Sequence, residues 1–230
     1  MLSFLIVAEV FNRNTNVYNV LSASAILLLI INPFLIMQVG FQLSYLAVLG
    51  ILYIQPKMEK MWKPRYWLLQ KIWTITSVSV AAQISTFPLG LLYFHQFPNY
   101  FLISNLVVIP AAFLILSLGI LLITLSFSKI IVGFISYLLH HILNYLLIII
   151  GYIESIPGSL SEGLSISIFE TMLIYTFTAS ILVSLQLKKK MFYGFSIFIF
   201  FFLFLMNAIE DYRLKDLKRI TVYNLSLIHI

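Results

Sequence analysis

A chain of 230 residues with 61% hydrophobic side chains and 10% charged ones carries more apolar surface than a soluble core of that size requires. Apolar runs of about 20 residues recur, the length that crosses ~30 Å of hydrocarbon, and they are continuous rather than alternating, which excludes a β-barrel. No cysteine is present, so disulfides and Cys-based metal or redox sites are excluded, and the net charge of +6 is informative only by location.

The expected fold class is all-α: a polytopic transmembrane helix bundle of about eight spans, some of them broken or kinked by proline. The segments are a partial one at 2–11, then 17–31, 35–54, 72–94, 101–127, 130–151, 166–187 and 191–209. The first is too short to span and has no basic residue before it. It reads as the tail of a longer helix rather than a signal peptide, so a cut N-terminus is expected.

The breaks are short and polar, as in "NRNTN", "HQFPNY" and "ESIPGSLSEG". Numbered alternately, they collect Arg13, Lys57, Lys60, Lys63, Arg65, Lys71, Lys129, Lys188, Lys189 and Lys190 on one side. The opposite loops, before Gly40, at "HQFPNY" and at "ESIPGSLSEG", hold no Lys or Arg and carry Glu154 and Glu162. The basic side is therefore expected in the cytoplasm. Arg213, Lys215, Lys218 and Arg219 follow the last span on the outer side. Long domains translocate largely regardless of charge, so an extracytoplasmic domain is expected to follow, with a missed re-entrant segment as the competing explanation. "ITVYN" reads as the start of a β-strand.

The last six residues, "LSLIHI", match what CTG TCT CTT ATA CAC ATC, a transposase adapter used in sequencing libraries, encodes, and are read as adapter-derived, with an ordinary β-strand end as the alternative. The expected organisation is a transmembrane domain at 1–209, a linker and the start of an outer domain at 210–224, and an adapter-encoded scar at 225–230.

Polar residues inside the spans carry the functional reading. In "INPFLIMQVGFQLSYLAVLGI", Gly40, Ser44 and Ala47 make a small-residue stripe that admits a neighbouring helix, while Gln42 and Tyr45 lie on another face. Asn32-Pro33 marks a helix boundary, because the residue before proline disfavours the α region. In the next span Ser77, Ala81 and Ser85 form a second small stripe, Gln83, Thr86 and Gly90 a polar face, and Pro88 frees a carbonyl. Asn105 and Pro110 repeat the combination. Three spans that join an amide to a nearby Pro or Gly point to a polar pathway more than to simple packing. No Asp, Lys or Arg lies deep in a span, and Glu170 sits about one turn in, which disfavours an ion-coupled carrier.

The remaining candidates have plainer readings. His140 and His141 point about 100° apart on a helix with no carboxylate to join them, so they read as interface residues, and no metal site or cofactor is expected. The aromatic side chains, 16% of the chain, are expected mainly on the lipid or in interfacial belts. "KMEKMWKPRYWLLQK" is expected as a cytoplasmic interfacial helix on anionic lipid, although it could touch a nucleic-acid backbone. No P-loop or Ser/His/Asp arrangement is found, and the chain is not expected to be an enzyme.

"GFQLSYLAVLGI", "QISTFPLGLLYF" and "NLVVIPAAFLILSLGI", in that order, resemble the membrane-embedded competence domain of the ComEC DNA-uptake proteins over about 8–151. The resemblance implies part of an inner-membrane channel that passes single-stranded DNA into the bacterial cytoplasm during natural transformation. Carried over by motif, it marks Gly40, Phe41, Gln42, Leu43 and Ser44, then Gln83, Thr86 and Pro88, then Asn105 and Pro110; Pro88 and Pro110 join Pro33, read above from its place after Asn32, as expected helix breaks. It implies as partners single-stranded DNA, membrane lipid, a DNA receptor and a cytoplasmic ATP-dependent motor, and leaves a homo-oligomer open. Many members carry a metallo-β-lactamase-like domain outside the membrane; this sequence contains neither that domain nor the family's soluble N-terminal domain. A small-solute or lipid-linked-precursor transporter is the alternative, and a purely structural scaffold a third.

Overall fold

Asn16 opens the first helix by accepting the Tyr18 N–H on its side chain at 3.1 Å, and Asn32-Pro33 ends it. In the computed structural model the described residues are 16–187 and 190–215. They form α1 (Val17–Ile31), a 3-10 turn (Pro33–Met37), α2 (Val39–Met61), α3 (Trp67–Phe94), β1 (Gln96–Pro98), α4 (Phe101–Thr124), α5 (Lys129–Ser155), β2 (Leu160–Glu162), α6 (Ile168–Leu187) and α7 (Lys190–Lys215). The expected segment at 2–11, the strand start at 220–224 and the residues at 225–230 lie outside the described residues, with Arg13, Lys188, Lys189, Lys218 and Arg219.

Five of these helices, α2 to α6, are long and apolar enough to cross a membrane. Of the about eight expected spans, five are thus shown among the described residues. Asn32-Pro33 stops α1 at 15 residues, about 22 Å at 1.5 Å per residue, short of ~30 Å of hydrocarbon. In α7 the apolar part covers Tyr193–Met206, and the helix runs on to Lys215, beyond the expected end at 209. The spans are also less broken than expected: α3 continues through Pro88 and α4 through Pro110. Of the three prolines expected to break helices, Pro33 alone does so, at the 3-10 turn. Residues 57–71 are not a separate interfacial helix, because they make the end of α2, a short loop and the start of α3. Lys57 lies over the Tyr53 ring and Lys71 over the Trp67 ring, so these cations are held on aromatic faces along their own helices.

The chain divides into two compact units at Ile166 and Ser167. In the first, α2 packs along α3, α3 against α4, and α4 against α5. The α2–α3 approach is closest at Gly50, where a Cβ would overlap Ser85 and stand 2.6 Å from the Ala81 carbonyl oxygen. The stripe of Ser77, Ala81 and Ser85 is thus a packing face, with Ser77 and Ala81 fully buried. Its partner is Gly50 rather than the stripe that starts at Gly40, which has nothing within 4 Å of an added Cβ. The α1 helix leans on α2 through Ser24, whose hydroxyl lies 3.0 Å from that of Tyr45.

Two three-residue strands interrupt the all-α pattern. β1 and β2 pair antiparallel with Gln96 opposite Glu162, Phe97 opposite Ser161 and Pro98 opposite Leu160. The Asn99 amide donates to the Gly158 carbonyl at 2.7 Å and the Ser161 hydroxyl at 2.9 Å, and the Leu164 N–H donates to His95 O at 3.1 Å. His95, Gly158 and Gly163 adopt positive φ at 55°, 75° and 76°, which turns the chain sharply into and out of the ribbon. The ribbon unites the two lysine- and arginine-free loops at one end of the helices. Tyr93 of α3 reaches Gln42 of α2 at that same end. Lys63, Arg65 and Lys129 fall at the other.

In the second unit, Ser167 caps α6 with a reciprocal box. Its N–H and hydroxyl donate to the Glu170 carboxylate at 2.7 and 2.8 Å, and its hydroxyl accepts the Glu170 N–H at 3.2 Å. Glu170 is buried by that role. The α6–α7 contact is made over small side chains, with the Ser196 hydroxyl donating to Ser180 at 2.8 Å.

Candidate functional site

Near the ribbon, α2, α3 and β1 line an open pocket of about 490 Å³. Ser44 comes from α2. Gln83, Thr86, Phe87, Gly90 and Phe94 follow one another at helical spacing on α3, and Phe97 comes from β1. Among the described residues, no charged side chain lines it. Phe87 and Phe97 meet edge to face at 5.3 Å, and Phe97 meets Phe101 at 6.0 Å, so Phe97 fixes the ribbon against two helices.

The pocket's polar groups differ in what they can offer. The Thr86 hydroxyl donates to the Ala82 carbonyl at 2.9 Å, which leaves it as an acceptor toward the cavity. The Gln83 amide is half-buried and has no hydrogen-bond partner among the described residues, so both its donor and its acceptor remain available.

Of the marked residues, the fold brings Ser44, Gln83 and Thr86 together on this pocket. Pro88 is fully buried in α3 beside it, and leaves the Ile84 carbonyl without its helical donor. Gln42 is held elsewhere. Its amide nitrogen donates to Ile36 O at 2.8 Å, and its oxygen accepts from Tyr93 at 3.0 Å, so it ties the 3-10 turn and α3 to the start of α2. Phe41 stacks on Tyr45 with centroids 4.4 Å apart. Gly40 and Pro33 are exposed, and Asn105 and Pro110 lie on α4 and are not among the pocket's lining residues. His141 Nδ1 lies 2.9 Å from the Tyr137 carbonyl, a contact within α5.

Phe94, Phe97 and the ribbon were not marked in the sequence. The signal for them was weak: a Phe every few residues is common in this chain, and a strand of three residues that ends on Pro98 has no alternating pattern. A second cavity of about 180 Å³ lies between Tyr100, Ser104, Ile153, Glu154 and Ser159, where the ribbon meets α4 and α5.

A family model described as "Competence protein" matches residues 1–188, which covers all of the pocket. No curated protein and no solved structure matches the chain.

Proposed function

The chain belongs to the Competence protein family, and on that premise we propose that it forms part of the bacterial inner-membrane channel that passes single-stranded DNA into the cytoplasm during natural transformation. Competence is the state in which cells take up DNA, and a multi-pass membrane protein of this family suits that role. The observation that carries the finer reading is the pocket itself. Gln83, Thr86 and Ser44 gather beside helices of transmembrane length, with no charge to grip a passing strand. Uncharged polar groups in a wall of the pathway give a passing strand hydrogen-bond partners without the tight binding that would stall transit. In this reading the chain is a conduit rather than an enzyme. The driving force comes from a cytoplasmic ATP-dependent motor, and a DNA receptor delivers the strand to the ribbon side, which faces outward.

Gln83→Leu is the direct test, because it changes the pocket wall without removing a hydrogen bond to any described residue. The expected result is loss of internalised DNA with DNA bound at the cell surface unchanged. Normal uptake by this variant would overturn the lining role. Gln42→Leu is a poorer probe, since it breaks two tertiary hydrogen bonds.

The pocket volume also supports a second reading, a small-solute or lipid-linked-precursor transporter, because cavities of about 300–1,000 Å³ suit single small molecules. Transport of that kind saturates with the solute and is indifferent to DNA.

A further inference from the structure

We infer that the pocket between α2, α3 and β1 receives the bases of the strand, one at a time, while the phosphates run outside it. This rests on the DNA reading above and specifies which part of the strand the site recognises. A phosphate would meet no cation there among the described residues, since none that lines the pocket is charged, and the Thr86 hydroxyl is committed as a donor to its own helix. A base would meet aromatic side chains at Phe87, Phe94 and Phe97, with the rings of Phe87 and Phe97 set at 89° to each other. Every base has a π-face, so stacking of this kind tolerates any sequence, which suits a conduit for arbitrary DNA. The uncommitted Gln83 amide supplies a donor and an acceptor side by side, the pattern that pairs with base edges. A cavity of about 490 Å³ lies within the range of about 300–1,000 Å³ usual for small-molecule sites, which suits one base and excludes a folded duplex.

The test measures binding of two probes to the full chain in lipid nanodiscs. One is a mixed-sequence single-stranded oligonucleotide, and the other has the same length and charge but abasic residues throughout. The base-bearing strand is expected to bind about tenfold more tightly, the size of one stacked base. Phe97→Leu and Gln83→Leu together are expected to close that gap and leave abasic binding unchanged. Phe94→Leu serves as an independent variant should the ribbon fail to form without Phe97. Equal binding of both strands by the unmodified chain in nanodiscs, when cells that carry it take up DNA, overturns the base pocket alone. A gap that survives in every folded variant also overturns it. Binding of neither strand overturns the DNA reading together with it.

Discussion

Pro56 cannot donate to the Leu52 carbonyl one turn back in α2, and the Tyr18 hydroxyl of α1 donates to that oxygen at 3.3 Å. A proline inside a membrane helix is tolerated where a neighbour satisfies the freed acceptor, and here the neighbour is a specific phenol. Tyr18→Phe is expected to cost about 0.5–1.5 kcal/mol, the usual worth of one hydrogen bond. In a Pro56→Ala background the helix satisfies the carbonyl itself, so the same change should cost close to nothing. A double-mutant cycle on denaturation in detergent reads the difference, and equal costs in both backgrounds would contradict the pairing. The sequence showed the proline but not its partner, because the residues are 38 positions apart and no local pattern links them. The same limit applies to Gly50. The stripe on α3 was legible from its spacing, yet spacing gives a face and not the residue that meets it.

Helix ends were largely legible where polar breaks mark them: Ile31, Phe94 and Leu187 end helices where the apolar runs end. Pro88 was read as a helix break, yet its helix is continuous, and α2 runs past the expected end at 54 and on through Pro56. Both follow from cooperativity, since a helix that keeps its remaining hydrogen bonds and its packing survives the loss of one bond. The ribbon was not legible, because its stability comes from pairing between loops about 60 residues apart rather than from strand propensity. Its register makes a clean prediction. Directly opposed residues in an antiparallel pair have Cα atoms about 4.5–5.5 Å apart, within disulfide range. The chain has no cysteine of its own, so Gln96→Cys with Glu162→Cys is expected to cross-link on mild oxidation. Gln96→Cys with Leu160→Cys, two positions out of register, is expected to react far more slowly. The reverse order would contradict the pairing.

At the scale of the molecule, the alternation of charge read from the sequence has a structural counterpart within the first unit. The loops without Lys or Arg meet through the ribbon and the Tyr93–Gln42 bond, and Lys63, Arg65 and Lys129 lie at the far ends of their helices. Helices of 24 and 27 residues, about 36 and 40 Å long, separate the ribbon from Lys129. The pocket sits toward the ribbon end, the end that the proposed function turns outward. Of its polar residues, Ser44, Gln83 and Thr86 were identified from sequence because amides and hydroxyls are rare in apolar spans. Its aromatic wall was hidden among twenty phenylalanines, since composition alone does not separate a lining ring from a lipid-facing one.

The most direct test is photo-cross-linking during uptake. A photoreactive side chain replaces Phe94 at the pocket in one variant and Phe113, exposed on α4, in another. Both variants are illuminated in competent cells as labelled DNA enters. The account predicts that the strand attaches at position 94 and not at 113. Attachment at neither site, or equally at both, in cells that import DNA normally would contradict passage of the strand along the pocket.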